Sequence, residues 1–215
     1  MATVGQQLTV PEAGWKRYDD TDANIKYIGD KWEFLTGGGT YLQTHHRTAK
    51  ANDKVTFNFT GPKIRIIGAY NTQDSASIEI TIDEVSYTYS DYSTSWTEQV
   101  LVFEKTDLGV GEHCVTITNL QDSKYFTLDA FDIDETGELK PYVEPKNNLL
   151  RVTMLDSSER DYQLSTTEID GFVNWFNSHT STNTTSYMLN KKVGTQNSKE
   201  YLTFDKIISF EVMEL

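Results

Sequence analysis

Short segments of alternating hydrophobic and polar residues fill most of the first two-thirds of the chain. Each segment is apolar at alternate positions or nearly throughout, which is typical of half-buried or fully buried β-strands. Between neighbouring segments lie Gly61-Pro62, Asp83-Glu84 and the glycine-rich stretch 109–111, which have the composition of turns. At least seven strands without a convincing helix predict a β-sandwich or barrel. The strand segments are 54–59, 63–70, 76–82, 85–89, 99–103, 113–118 and 125–133.

The pattern changes after residue 134. Residues 135–148 are charged and poor in apolar side chains, and they hold two of the four prolines, so they predict a linker. A strand over 149–155, a turn over 156–160 and a return strand over 161–164 follow.

One helix is predicted next in the chain. Ser165 and Glu168 have the spacing of a capping box, and the apolar residues behind them recur on one helical face. This helix should end near His179, before the polar run 180–186, and further strands are expected over 187–189 and 200–215. The pattern therefore predicts an N-terminal arm (1–13), a sandwich (14–134), a linker (135–148) and a small α+β domain with one helix (149–215).

Charge and composition narrow the function classes. Nineteen basic residues against 32 acidic ones give a net charge of −13, which disfavours a nucleic-acid ligand. No long apolar run predicts a membrane span, and the first residues lack the pattern of a secretory signal. Cys114 is the only cysteine, so no intrachain disulfide can form, and its setting in a predicted strand favours a small buried hydrophobe over a nucleophile.

Several segments resemble the galactose-binding-like jelly rolls of carbohydrate-binding modules. The matching segments are Gly14 to Asp20, Ile25 to Trp32, Val55 to Gly61, Leu108 to Ile117 and Leu128 to Ile133. The resemblance covers about residues 14 to 134, and it implies a jelly-roll β-sandwich whose loops carry any ligand site. These motifs are strand cores and turn glycines, so they specify the fold better than the ligand.

A second, narrower resemblance concerns the C-terminal part. Leu150 to Met154, Asp156 to Arg160 and Ser198 to Phe210 look like a tail segment of structural proteins from phages and prophages of Gram-positive bacteria, clostridia especially. This resemblance implies a place on a virion, either on the head or on the tail. In that setting Phe204, Ile207 and Phe210 are candidate attachment residues.

A sugar site in such a sandwich needs an aromatic ring to stack on a pyranose and polar groups to bind its hydroxyls. For the loop around residues 87–96, a binding loop and an exposed polar loop remain open alternatives, and for Trp15 and Trp32 core packing is the favoured interpretation. The candidates near predicted loops or strand ends are Trp32, His45, His46, Arg47, Tyr70, Asp91, Tyr92 and Trp96.

Jelly rolls of this type often hold a structural calcium, and no other cofactor is expected. The acidic run 19–24 supplies oxygen donors from Asp19, Asp20 and Asp22 but lacks the glycine and the final glutamate of an EF-hand. The run 132–137 has the glycine but also lacks the glutamate. A solvated acidic turn is favoured over a calcium site for both runs.

Motifs of enzymes are missing from the sequence: there is no G-x-S-x-G, H-E-x-x-H, phosphate loop or dinucleotide fingerprint. His45 and His46 would point to opposite faces of a strand and could not readily bind one ion. We therefore expect binding and assembly rather than catalysis.

The leading hypothesis is a virion accessory protein, made in the bacterial cytoplasm. Its C-terminal domain or N-terminal arm would dock onto other capsid or tail proteins, and many copies of the sandwich would meet a host cell-surface glycan. The alternatives are a decoration protein that cements its neighbours without binding sugar, and a carbohydrate-binding module of a polysaccharide-active system. A polysaccharide-active enzyme is a third class.

Overall fold

The computed structural model describes residues 1–143, 147–180, 185–193 and 196–213. The chain divides into two compact units, Met1–Val143 and Glu144–Leu215. Strands dominate both units, and within the described residues the only α-helix lies in the second, so the predicted mainly β fold with a small one-helix part is confirmed. None of the helices in these residues is long and apolar enough to span a membrane.

The first unit consists of short strands, as its alternating sequence predicts, with one 3-10 turn at Tyr41–Gln43. Its strands are β1 Trp15–Asp19, β2 Lys26–Ile28, β3 Glu33–Thr36, β4 Thr44–Thr48, β5 Lys54–Thr60, β6 Ile64–Tyr70, β7 Ile78–Ile82, β8 Val85–Tyr89, β9 Thr97–Lys105, β10 Glu112–Asn119, β11 Phe126–Leu128, β12 Ala130–Asp134 and β13 Leu139–Lys140.

These strands form antiparallel sheets around one core. One sheet has the order β1-β12-β6-β9, a second has the order β13-β5-β10-β7-β8 with β2 also beside β5, and a third has the order β11-β4-β3. Phe57 of β5 stacks on Phe131 of β12 with ring centroids 4.4 Å apart, and both side chains are fully buried. This contact joins the first two sheets face to face, which gives the sandwich its apolar interior.

The predicted arm and part of the predicted linker are built into this unit. Leu8 is buried, and the backbone of residues 5–8 exchanges hydrogen bonds with β9, including Gly5 N–H to the Leu101 carbonyl at 2.8 Å. Within the predicted linker, β13 pairs with Phe59 and Asn58 of β5. Residues 135–143 thus belong to the sandwich, because their main-chain groups complete an open sheet edge.

The second unit places one helix against a small sheet. Its elements are β14 Asn147–Met154, β15 Glu159–Ser165, α1 Thr166–Asn177, β16 Ser186–Val193, β17 Gln196–Thr203, a 3-10 turn at Phe204–Lys206, and β18 Ile207–Met213. The strands pair in the orders β15-β14-β18 and β16-β17. The apolar stretch 200–215 therefore holds two strands separated by a turn, and part of the polar run 180–186 lies outside the described residues.

The start of α1 follows the predicted capping box. The Ser165 hydroxyl accepts the Glu168 N–H at 3.3 Å, and the Glu168 carboxylate accepts the Ser165 N–H at 3.1 Å. The helix ends at Asn177, two residues before the predicted end. Phe172 is fully buried and meets Tyr187 and Phe210 edge to face, so the helix supplies the centre of this unit's core.

Candidate functional site

Three loops at one end of the sandwich are joined by hydrogen bonds. They follow β6, β8 and β10, and together residues 71–77, 90–96 and 120–125 are called the loop rim here. The Asp91 N–H donates to the Ser75 carbonyl at 2.8 Å, and the Tyr125 N–H donates to the Gln73 carbonyl at 3.0 Å. These bonds join the second and third loops to the first, and loops that a scaffold holds in place commonly carry binding residues.

The loop after β8 presents two large aromatic side chains. Trp96 is 71% exposed and Tyr92 is 48% exposed. Their loop is held by a hydrogen bond from the Ser93 N–H to the Asn71 carbonyl at 3.2 Å and by local serine turns. An aromatic ring that is exposed on an ordered loop can stack on a ligand at little cost in conformational entropy.

Arg47 reaches the loop rim from β4. Its guanidinium lies 4.3 Å from the centroid of the Tyr125 ring, and its Nε donates to Glu33 at 2.8 Å. Burial raises the pKa of Asp74 to about 7, and the positive charge of Arg47 opposes this rise. Arg47 therefore brings a cation and several hydrogen-bond donors to the same end of the sandwich as the aromatic loop.

Asp91 and Asp74 form the floor of the loop rim. Asp91 is fully buried and Asp74 is 5% exposed. Both carboxylate oxygens of Asp91 and Oδ2 of Asp74 lack a hydrogen-bond partner among the described residues. Burial raises the pKa of Asp91 well above its usual value, and the Asp74 charge raises it further, whereas the nearby Thr127 N–H lowers it.

Tyr70 lies close enough to Asp91 to feel its charge, and His45 shares strand β4 with Arg47. Burial raises the pKa of Tyr70, and the charge of Asp91 raises it further. His45 is two residues before Arg47 on β4, so both side chains point to the same face of the strand. Burial lowers the pKa of His45, and the charge of Arg47 lowers it further. The charges of Asp20 and Glu98 raise this pKa but do not outweigh burial.

The structure places His46 and Trp32 in one aromatic cluster around Tyr27. His46 stacks on Tyr27 at 3.9 Å, and its Nδ1 lies 2.5 Å from Asp20 Oδ2. The Trp32 ring meets Tyr27 edge to face at 4.8 Å and its Nε1 donates to the Ile28 carbonyl at 3.1 Å. Trp32 is partly buried against the sandwich core, as the packing interpretation expects.

The acidic run after β1 is occupied by local hydrogen bonds. Asp20 is fully buried and accepts the Thr44 hydroxyl at 2.8 Å as well as facing His46. Asp19 accepts from the Thr21 hydroxyl, and Asp22 accepts from the Asn24 N–H at 2.9 Å. Among the described residues no group of three or more His, Cys, Asp or Glu side chains is placed to hold a metal ion.

Cys114 lies in an environment that suppresses nucleophilic chemistry. Its thiol is partly buried, and burial together with the adjacent Asp83 carboxylate raises its pKa to about 12. The neighbouring His113 points to Asp83 and to the Gly109 carbonyl, so it does not contact the thiol. A thiol with so high a pKa is not ionised at neutral pH.

The predicted attachment residues all contact other residues of the second unit. Ile207 is buried in its core, and Phe210 meets the Phe176 ring at 5.1 Å. Phe204 stacks on His179 at 3.9 Å and contacts Phe176 at 4.8 Å. Ile207 is therefore a core residue, whereas Phe204 and Phe210 are half-buried and pack on rings of the same unit, and a role of these residues in attachment stays a prediction.

A different pair of apolar residues is exposed on this unit. Met188 of β16 and Tyr201 of β17 lie directly opposite each other, and they are 36% and 65% exposed. Their sequence neighbours Leu189 and Leu202 are buried, as the alternation of side chains along a strand requires. Tyr187, Met188 and Leu189 are all apolar, so the sequence itself gives no signal that Met188 points outward.

No protein-family model matches the chain, and neither does any curated protein sequence. Solved structures with a similar arrangement include a family two carbohydrate esterase from Cellvibrio japonicus, at 14% identity and a TM-score of 0.46, over 62% of this chain and 37% of that chain. An exo-β-1,3-galactanase from Phanerochaete chrysosporium, with galactose, has 16% identity and a TM-score of 0.44, over 56% and 29% of the two chains.

A salicylyl-acyltransferase from a tetracycline biosynthetic pathway has 12% identity and a TM-score of 0.44, over 64% of this chain and 44% of that chain. The chain thus covers less than half the length of each of these three proteins. At such identities and TM-scores the three proteins say nothing about what this chain binds.

Proposed function

We propose that this chain is a non-enzymatic accessory protein of a phage particle, which displays a glycan-binding sandwich to the host cell surface. The observation that carries the proposal is the exposure of Trp96 and Tyr92 on one hydrogen-bonded loop. Sugars present flat apolar faces rimmed by hydroxyls, so an exposed ring beside polar donors such as Arg47 suits them.

Display in many copies makes a weak site effective. A single open surface with two aromatic rings gives modest affinity, because little of the ligand is enclosed. Copies fixed to one particle rebind at high effective concentration, and avidity then exceeds the single-site affinity by about 10²–10⁴. The resemblance of the C-terminal part to phage tail segments supports this setting, and the second unit serves as the attachment part.

Binding to purified cell-wall glycan of a Gram-positive host tests the proposal. The double variant Trp96→Ala, Tyr92→Ala should lose retention on the glycan while its circular dichroism stays unchanged. Phe34→Ala is the matched control, because Phe34 is also an exposed aromatic residue, 53% exposed, but belongs to β3 outside the loop rim. The proposal would be contradicted if the wild type, the double variant and Phe34→Ala were retained equally on the glycan. Release of reducing ends from the glycan would also contradict it.

Immunogold labelling of intact particles tests the setting separately. Label on heads or tails is expected, and label that is confined to lysate would count against a virion protein.

A second candidate function is cementing of neighbouring virion proteins without sugar binding. The exposed pair Met188 and Tyr201 supports it, since paired apolar side chains on a strand face are common in interfaces. In that case Met188→Ser, Tyr201→Ser would reduce incorporation into particles, whereas the Trp96 and Tyr92 variant would leave both incorporation and host adsorption unchanged.

A further inference from the structure

Two buried carboxyl groups beneath the loop rim are poorly provided with hydrogen-bond donors. Asp91 is fully buried and Asp74 is 5% exposed. Within the described residues, both carboxylate oxygens of Asp91 and Oδ2 of Asp74 are enclosed and make no hydrogen bond. A buried carboxylate is costly to ionise unless donors or cations surround it. The folded protein therefore favours the protonated form of these two side chains.

The two cations that act on Asp74 have other partners. Arg47 of β4 pairs with Glu33 at 2.8 Å, and Lys124, in the loop after β10, donates to the Thr72 carbonyl at 2.9 Å. Their charges lower the pKa of Asp74, but burial outweighs them and raises it to about 7. These cations therefore oppose the effect of burial without cancelling it.

The groups that act on Asp91 also leave its charge uncompensated. Burial raises its pKa well above the usual value and the charge of Asp74 raises it further, whereas the Thr127 N–H lowers it without reaching hydrogen-bond geometry. Tyr70 of β6 and Tyr89 of β8 feel the charge of Asp91, and both hydroxyls stay neutral at ordinary pH because burial raises their pKa. Ionisation of Asp74 thus makes ionisation of Asp91 more costly still.

The main chain of Asp91 anchors the loop that carries Tyr92 and Trp96. Its N–H donates to the Ser75 carbonyl at 2.8 Å, and its carbonyl accepts the Asn71 N–H at 3.3 Å. Because the carboxylate oxygens are enclosed, solvent reaches them only when this loop separates from the loop after β6. Ionisation of Asp91 is therefore coupled to separation of the two loops.

We propose that Asp91 and Asp74 form a pH-sensitive latch, which holds the aromatic loop closed while both carboxyls are protonated and releases it when they ionise. In the folded protein the pKa of each carboxyl is raised above the unfolded value of about 3.9. The stabilisation of the closed loop is therefore complete below that value, and it is lost as pH rises through the folded-state pKa, which is about 7 for Asp74.

Hydrogen exchange of the full chain, followed by mass spectrometry without any glycan, tests the latch. After correction for the intrinsic effect of pH on exchange, the protection of residues 90–96 should fall by about tenfold or more from about pH 5 to about pH 8. Peptides from β5 are the internal reference and should change much less, because β5 lies inside its sheet. Since no glycan is present, the result does not depend on the proposed function.

Asp91→Asn is the principal variant. It keeps the shape of the side chain but cannot ionise, so the protection of residues 90–96 should depend much less on pH. Asp74→Asn tests the second carboxyl by itself, also if the first variant does not fold, and the double variant should lose the dependence altogether. Asp22→Asn is the matched control, because the Asp22 carboxylate accepts the Asn24 N–H in another loop, and it should behave as the wild type does.

Three outcomes would overturn the latch. The first is a wild type whose protection of residues 90–96 does not change with pH. The second is a double variant that keeps the pH dependence of the wild type. The third is an equal loss of protection in β5, which would assign the effect to unfolding of the whole sandwich.

Discussion

Arg17 and Asp132 lie directly opposite each other in the pairing of β1 with β12, and their side chains form a bidentate ion pair. The Nε to Oδ1 distance is 2.6 Å, the second contact is 3.0 Å, and the two side chains are 1% and 0% exposed. Arg17 also donates to the Leu8 carbonyl at 2.9 Å, so the pair links the N-terminal residues to the sandwich.

Removing one partner of this pair should be strongly destabilising. Asp132→Ala leaves a buried guanidinium without its counter-ion, and we expect the free energy of unfolding to fall by about 3–5 kcal/mol in urea denaturation. The matched control is Asp161→Ala, which breaks a bidentate pair with Arg151 of similar geometry at the surface of the second unit. If both variants lost a comparable free energy of unfolding, burial would not be the reason why removing one partner of the Arg17–Asp132 pair destabilises the protein.

The stability of the sandwich should depend on pH through His113. This imidazole is 3% exposed between the Asp83 carboxylate and the Gly109 carbonyl, and only its doubly protonated form donates to both. Burial lowers its pKa, but the bonds to Asp83 and Gly109 outweigh burial and raise the pKa overall.

Since the folded-state pKa of His113 is raised, its stabilising contribution is complete below the unfolded value of about 6.5 and is lost as pH rises through the folded value. Urea denaturation from about pH 5 to about pH 9 should show this fall for the wild type and a flatter profile for His113→Gln. An unchanged slope in the variant would exclude His113 as the source.

Gly171 allows helix α1 to approach Tyr187 of β16. A Cβ atom at this position would lie 2.5 Å from the Tyr187 hydroxyl oxygen, and the Tyr187 ring is held against Phe172 and Trp175. Gly171→Ala gains about 1 kcal/mol of helix propensity, but overpacking should cost about 1–3 kcal/mol and prevail.

Adding Tyr187→Phe removes the hydroxyl oxygen that the new methyl group would meet, and it should restore the melting temperature of the Gly171→Ala chain. If the double variant is no more stable than Gly171→Ala alone, close approach at Tyr187 is not the reason for glycine.

The capping box at Ser165 should contribute measurably to the second unit. Ser165→Ala removes the acceptor for the Glu168 N–H, and such caps contribute about 1 kcal/mol, within a range of about 0.5–2 kcal/mol. Ser165→Thr keeps a hydroxyl acceptor and should lose less stability in thermal denaturation. Equal losses in both variants would point to packing rather than to capping.

The strands that were predictable from sequence are those with uninterrupted local patterns. Residues 54–59 and 113–118 alternate or carry β-branched residues over six positions, and they correspond to β5 and β10. Ser165 and Glu168 predicted the start of α1 because capping uses only local backbone geometry. Such signals depend on a few neighbouring residues, so a single sequence contains them.

The strands β3, β4 and β13 were not predicted, because their pairings involve distant segments. The local sequence around Phe34 and His46 resembles that of a loop. Only the antiparallel pairing of β3 with β4 identifies them as strand residues. Pro141 and the charged residues around it indicate a linker. The two residues that precede Pro141, Leu139 and Lys140, nevertheless pair with β5. Strand pairing is a long-range property, and local composition does not specify it.

Of the candidate site residues, the sequence indicated the exposure of the aromatic pair. Trp96 and Tyr92 fall in a polar stretch that is too rich in serine and threonine for a core strand, so their exposure follows from the sequence. The neighbouring Asp91 differs, because its burial depends on how the loop after β8 lies against Ser75 and Thr127. Asp74 carries no local signal at all, since an aspartate in a turn is ordinarily solvated.

The attachment of residues 5–8 to β9 has a consequence for handling the protein. These residues pair with β9, which is the edge strand of its sheet. Gln7 forms a β-bridge with Val100, and Leu8 is buried beside it. A chain shortened past Leu8 would offer that strand's unused donors and acceptors to a second molecule. We expect the truncated protein to self-associate as its concentration rises, and the full chain to do so less.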